Sequence, residues 1–317
     1  MSVMRVLVTG GCGFIGSNFI NYFLNQYPNA VIYNVDKVDY CARLKNVDEN
    51  PRHHFINVDI THRDSMQIVF ASVHPDYVIH FAAQSFVDLS FENSFQFTTD
   101  NVLGTHTLLE AARIYGKLKK FIHISTDEVY GEVADHIICD ESAPLNPMNP
   151  YAASKAAAEL YVRAYTKCYN IPCIITRGNN VFGPKQYPEK VVPIFIRQML
   201  DNKPVTIHGD GSAKRNFIFV DDVCRAVEAI LLKGVIGETY NIGTKYEFSV
   251  YEMYEMLAKL ISQNTTVTFV PDPRPHNDSR YCIDSNKLRA LGWSEDENFT
   301  EQLEETINWY YKNKEYF

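Results

Sequence analysis

The segment "MRVLVTGGCGFIGSNFI" constrains this chain more than any other. Val6 to Thr9 form a short apolar run, as in a strand buried on both faces. Gly10, Gly13 and Gly16 come directly after it, and a helical apolar pattern starts with Phe14 and Ile15. Glycines at this spacing let a strand turn sharply into a helix. They also let the backbone approach a pyrophosphate seated on the helix N-terminus. A strand-to-helix turn that only needs positive φ would use the same letters, so the second strand has to decide between them. That apolar run, "VIYNVD", ends at Asp36, ~20 residues beyond Gly16, where a dinucleotide fold needs an acid for the ribose hydroxyls. A carboxylate there repels a 2′-phosphate, which favours NAD over NADP. Lys37 is the one neighbour that softens the preference. Asp59 and Ile60 close a third run, where an adenine edge would lie, although a turn aspartate accounts for Asp59 equally well.

Further runs at Tyr77 to Phe81, Phe121 to Ile124 and Cys173 to Thr176 alternate with helical patterns at Ile15 to Gln26, Thr105 to Tyr115 and Pro150 to Tyr169. Near-continuous apolar strands separated by helices imply an α/β fold: a doubly wound parallel sheet covered on both faces. The pattern loosens after Asn179 into Pro- and Gly-rich loops, which predicts a dinucleotide-binding domain over 1–178 and a smaller α/β substrate lobe over 179–317. "RNFIFVDDVCRAVEAILL" reads again as strand then helix, so a segment near 215–243 should return to the first domain.

The formal charge is −8 and no basic block stands out, which argues against nucleic acid as a partner. The seven cysteines are scattered, with no C-x-x-C. They fit reduced thiols in the cytoplasm better than a disulfide framework, and no metal site is expected. No apolar run reaches membrane-spanning length. The chain enters its first strand directly, so no signal peptide is expected.

Two stretches carry chemistry. In "NPYAASKAAAEL", Asn149 can cap a helix and Pro150 suits its first position. Tyr151 and Lys155 then share one face. A neighbouring ammonium is expected to lower the phenol pKa from ~10 toward working pH and so make a base for an alcohol proton. The second stretch, "FIHISTDEVYG", runs a strand into Thr126, Asp127 and Glu128. Two adjacent carboxylates do not ionise together cheaply, so their pKa values should split and supply one acid and one base. A solvated loop pair is the competing reading, and the buried strand before it argues against that.

Together with "DITHRD", "HFAAQS", "GNNVFGPKQYPEK", "GDGSAKRNFIFVDD", "YNIG" and "RPHNDSRY", these stretches identify the chain as similar to the extended short-chain dehydrogenase/reductase family over its whole length. Within that family it resembles the nucleotide-sugar 4,6-dehydratases, with a Rossmann-type sheet. "VDKVDYCARLKNVD" and "TRGNNVFGP" look most like the UDP-glucose 4,6-dehydratases of UDP-rhamnose synthesis. The resemblance implies NAD held by Gly10, Gly13, Phe14, Ile15, Gly16, Asp36, Lys37, Asp59, Ile60, Ala82, Tyr151 and Lys155. It implies oxidation of the sugar's 4-hydroxyl by Tyr151 with Thr126, removal of the carbon-5 proton by Glu128, and protonation of the leaving 6-hydroxyl by Asp127. Ser85, Thr126, Asn179, Lys190, Arg215 and Arg280 are implied on the substrate side. Relatives commonly carry His where this chain has Phe86, and a polar residue where it has Leu89, so neither position receives a role. The implied partners are UDP-glucose and a second copy of the chain. That homodimer would pair the helix before "FIHIS" (Val102, Leu108, Leu109, Ala112) with the Tyr151 helix (Ala157, Leu160, Tyr161, Ala164). A dTDP-glucose 4,6-dehydratase is the alternative. A non-catalytic NAD-binding scaffold is the alternative from another class, opposed by the intact Tyr151 and Lys155. GDP-mannose dehydratases fit less well around Asp127, and a 4-epimerase has no need of the acid pair.

Overall fold

The structure is a computed structural model that describes residues 3–261 and 265–316. In chain order the strands are β1 (Met4–Thr9), β2 (Ala30–Asp36), β3 (His53–Asn57), β4 (Tyr77–His80), β5 (Lys120–Thr126), β6 (Cys173–Gly178), β7 (Asn180–Phe182), β8 (Val205–His208), β9 (Lys214–Phe219), β10 (Thr239–Ile242), β11 (Glu247–Ser249) and β12 (Val267–Val270). The helices are α1 (Phe14–Gln26), α2 (Arg63–Val73), α3 (Val87–Glu92), α4 (Ser94–Phe97), α5 (Gly104–Tyr115), α6 (Pro150–Tyr169), α7 (Val191–Leu200), α8 (Val220–Lys233), α9 (Val250–Ile261), α10 (Asn286–Arg289) and α11 (Phe299–Lys312).

Seven strands form one sheet in the order β10-β6-β5-β4-β1-β2-β3, and every pairing in it is parallel. The alternation of side chains along each strand divides the core between two faces. Val6, Val8, Ile122 and Ile174 join one cluster with α1 and α8, while Leu7, Val78, Phe121 and Cys173 join the other with α2 and α5. This is the doubly wound Rossmann arrangement. The order reverses between β1 and β4, and a crevice opens at the carboxyl ends of the strands there. The return to the sheet is made by α8 and β10. β9 belongs instead to a three-stranded sheet, β11-β9-β7, and β8 pairs with β12 in a third.

Local chemistry sets the two helices that matter most. α1 begins at Gly13 with no side-chain cap, which leaves its first N–H groups facing the crevice. α6 begins at Asn149, whose Oδ1 accepts from Ala152 N at 2.8 Å, with Pro150 in its first turn. A π-helical stretch, Thr98–Leu103, precedes α5 and turns Asp100 and Asn101 inward.

The apolar face expected to form a dimer is corrected in part. Leu108, Leu109 and Ala112 are fully buried against the sheet, in the same cluster as Phe70 and Phe121. They are intramolecular core, because α5 lies flat between α2 and α6. Leu160 and Tyr161 of α6 are exposed, as are Leu103 and Phe95. No helix among the described residues is long and apolar enough to cross a membrane.

Candidate active site

Two clefts meet above the sheet. The first runs along the β1–α1 turn and is lined by Gly10, Gly13, Phe14, Ile15, Gly16, Asp36, Lys37, Asp59, Ile60, Ala82, Tyr151 and Lys155, the whole set expected for the cofactor. Its floor tolerates no side chain. A Cβ on Gly10, which has φ +72°, would lie 2.5 Å from Ala82 N, and one on Gly16 would lie 2.4 Å from Gly10 O. Asp36 is buried and held in place by N–H donors from Cys12 at 2.9 Å and Val38 at 2.7 Å. Its remaining acceptor capacity faces the cleft, as a ribose requires. Lys37 does not oppose Asp36. Its Nζ lies 2.7 Å from Asp100 and 3.6 Å from both Asp39 and Asp59, so three carboxylates offset its charge. The glycine floor, the uncapped helix start and Asp36 therefore fit NAD without adjustment.

The second cleft, of about 970 Å³, lies between the large sheet and the later strands. It is lined by Ser85, Thr126, Asp127, Glu128, Asn179, Lys190 and Arg215, and Tyr151 lines both clefts. β5 ends at Thr126, and the chain turns at once into a short 3₁₀ helix, Asp127–Tyr130, capped by Thr126. The Thr126 hydroxyl donates to Asp127 Oδ1 at 3.2 Å and accepts from Glu128 N at 3.3 Å. Asp127 is buried, and its pKa is pushed up to about 7, first by burial and further by Glu128. The rise at Asp127 is therefore caused mainly by desolvation, and only secondarily by the adjacent carboxylate. Glu128 is half-buried, and its Oε2 accepts from Asn149 Nδ2 at 2.9 Å.

The Tyr151–Lys155 pair departs from expectation in its electrostatics. Lys155 is buried and donates to the Ile124 carbonyl at 2.7 Å, and burial pushes its pKa down to about 8. Tyr151 is raised above its ordinary value, by burial first and then by Glu128, against the effect of its hydrogen bond with Thr126. The surroundings here keep the phenol protonated. The ammonium alone does not outweigh the removal of water and two nearby carboxylates.

Asn179 lines the second cleft, where it was expected, and Arg280 is corrected. Asn179 donates to Asp127 Oδ2 at 2.8 Å and accepts from Thr244 N at 3.0 Å, so its amide fixes a carboxyl group. Arg280 does not line either cleft. Its guanidinium pairs with Glu247 at 2.6 Å and donates to the Ala134 and Ile137 carbonyls, both at 2.9 Å, which hold the side chain away from the cleft. Arg274, six residues earlier in the same segment, lines the second cleft instead, paired with Asp272 at 2.7 Å. Arg215 lines it too, donating to the Asp278 carbonyl at 2.7 Å and lying over the Tyr281 ring at 4.6 Å. Lys190 donates to Ser85 O at 2.7 Å and lies beside the Phe86 ring.

Residues 7–306 match the GDP-mannose 4,6 dehydratase family. The chain belongs to the nucleotide-sugar 4,6-dehydratases. This family is NAD-dependent, in keeping with the first cleft. The dehydratase chain is 47% identical over 319 residues to the mouse dTDP-D-glucose 4,6-dehydratase, covering 98% of this chain and 89% of that one. It is 44% identical over 320 residues to an Arabidopsis thaliana trifunctional protein, a UDP-glucose 4,6-dehydratase, UDP-4-keto-6-deoxy-D-glucose 3,5-epimerase and UDP-4-keto-L-rhamnose-reductase. That match covers 99% of this chain and 48% of the relative, so the dehydratase chain spans about half the length of this curated relative. Among solved structures, the dTDP-glucose 4,6-dehydratase DesIV of Streptomyces venezuelae, crystallised with NAD, superposes with a TM-score of 0.94 at 38% identity over 99% of both chains.

Sequence reasoning misses Asn149, Arg274 and Tyr281 as site residues. Asn149 is legible only as a helix cap. "RPHNDSRY" holds two arginines, and the path of an irregular segment, which letters do not show, decides which one meets the cleft.

Proposed function

We propose that the protein is a UDP-glucose 4,6-dehydratase that uses internally recycled NAD to make UDP-4-keto-6-deoxyglucose, toward UDP-rhamnose. The observation that carries the reading is the placement of Thr126, Asp127, Glu128 and Tyr151 at the junction of the two clefts. Bound NAD would accept a hydride from carbon 4 and return it to carbon 6. Tyr151 takes the 4-hydroxyl proton as its phenolate, beside Thr126, a form that the positive charge of a bound oxidised nicotinamide would favour over the phenol that the protein alone keeps protonated, and Lys155 orders the backbone beneath it. The resulting ketone acidifies the proton at carbon 5, and Glu128 removes it. Asp127, kept protonated by burial, donates to the 6-hydroxyl, which leaves as water. Ser85, Lys190, Arg215 and Arg274 surround the space for the diphosphate and ribose, where guanidinium forks suit phosphate oxygens.

UDP as the nucleotide is supported by the segments "VDKVDYCARLKNVD" and "TRGNNVFGP" and by the Arabidopsis relative. A second reading, dTDP-glucose, is favoured by the mouse relative and by DesIV at comparable identity. The exposed Phe95, Leu103, Leu160 and Tyr161 support a homodimer through α6. The seven unpaired cysteines support a reducing, cytoplasmic setting. The test supplies purified protein with UDP-glucose and dTDP-glucose side by side and reads the alkali absorbance of the keto sugar. Turnover of UDP-glucose without net NADH supports the proposal. Preference for dTDP-glucose selects the second reading, and NADH release with an oxidised sugar refutes both.

A further inference from the structure

Glu128 Oε2 has a second neighbour besides Asn149. The Tyr281 hydroxyl lies 3.5 Å from it. Tyr281 is buried, and its hydroxyl donates to Asp278 Oδ2. Asp278 is buried as well, and its other oxygen, Oδ1, lies 3.0 Å from Nε2 of His276. The His276 side chain is 41% exposed at the rim. The row Glu128–Tyr281–Asp278–His276 therefore runs from the carboxylate beside the sugar space to solvent. Each gap in it is a hydrogen bond or just beyond one.

We propose that this row is a proton relay that exchanges the proton taken by Glu128 with solvent while the sugar is bound, with Tyr281, Asp278 and His276 as positioning and relay residues. The inference rests on the reading of Glu128 as the carbon-5 base. A substrate in the second cleft covers the open side of Glu128, so direct contact with water is lost when the proton is held. The chemistry balances without a further reagent. The carbon-5 C–H bond breaks and its proton passes to Glu128. Protonated Glu128 donates to the Tyr281 oxygen as Tyr281 passes its own proton to Asp278. Asp278 exchanges that proton with His276 by rotation of its carboxyl group, and His276 exchanges with water. The reverse sequence delivers a solvent proton to carbon 5 when the hydride reaches carbon 6. The groups facing the row do not interrupt it. Arg215 lies over the Tyr281 ring, where its charge eases partial loss of the phenol proton, and Glu132 accepts from Ser279 N at 3.1 Å beside His276 and Asp278. Burial and Glu128 hold Tyr281 above its ordinary pKa, so it relays as a neutral phenol.

The test runs the reaction in heavy water, samples the first turnovers and measures hydrogen isotope at carbon 5 of the product. Wild-type protein should give near-complete deuterium. Tyr281→Phe should trap the abstracted proton on Glu128 and return it, so the product changes to predominantly protium. His276→Ala, at an exposed position, should move in the same direction, and added imidazole should restore deuterium. Slower turnover with complete deuterium in both variants would mean that these residues are only structural and overturns the relay. Glu128→Gln separates the two claims. Continued carbon-5 exchange in that variant sinks the assignment of Glu128 itself, whereas its loss, beside full deuterium in Tyr281→Phe and His276→Ala, sinks only the relay.

Discussion

Asn149 joins the two halves of the site through one amide: its Oδ1 caps α6 at Ala152 N, and its Nδ2 donates to Glu128. The helix that carries Tyr151 and Lys155 is thereby locked to the carboxylate just beyond β5. Asn149→Asp keeps a capping oxygen but faces Glu128 with a like charge. Thermal stability should fall through the lost donor and the like charges and not through the cap, since aspartate caps about as well as asparagine, and carbon-5 exchange from heavy water slows. Asn149→Ala should in addition lose about 1 kcal/mol of stability with the cap. Calorimetry beside the exchange measurement checks both. Unchanged exchange in Asn149→Asp would show that Glu128 does not depend on this contact.

Asp127 predicts a pH dependence. Its native pKa, pushed up to about 7, lies above that of the unfolded chain. The stability tied to its proton is full below the unfolded carboxylate range and is lost as the pH rises from that range through about 7. The acid form needed for elimination disappears over the same upper limit, so water loss should decline as the pH rises through about 7. The amide of Asn179 favours the ionised form. Asn179→Ala should therefore move the alkaline limb to higher pH. A limb that stays in place would detach Asp127 from the acid role.

Legibility in the sequence tracks the range of the interactions. The glycine turn, the β5 run into Thr126 and the Asn149–Pro150 start of α6 depend on neighbours a few residues apart, and their periodicity and caps are visible as letters. Leu108, Leu109 and Ala112 form an apolar stripe that serves a core or an interface equally well until the packing of α5 is known. The contact of Asn179 with Asp127 spans 52 positions, and that of Tyr281 with Glu128 spans 153. No local pattern encodes such pairings. The choice between Arg274 and Arg280 needs the path of the irregular segment beyond β12.

The two arginines make opposite predictions. Arg280 is buried and paired with the partly exposed Glu247, so Arg280→Met leaves a carboxylate and two carbonyls without their donor and should destabilise the fold by about 1–3 kcal/mol. KM for the nucleotide sugar should hold near wild type in the protein that folds. Arg274→Ala should raise KM with a smaller effect on melting temperature. Denaturation curves paired with initial rates distinguish them. A raised KM in Arg280→Met with unchanged stability would restore that residue to the substrate side.

In the proposed mechanism Tyr151 and Lys155 serve oxidation, while Asp127 and Glu128 serve elimination. Rapid mixing of NAD-loaded Asp127→Asn or Glu128→Gln protein with UDP-glucose, or with dTDP-glucose if that proves to be the substrate, tests this division by the absorbance of enzyme-bound NADH. A burst of NADH that persists without 6-deoxy product is expected, because the first hydride transfer needs neither carboxyl group. Loss of the burst in both variants, together with normal release of water from a supplied 4-keto sugar, would overturn the division.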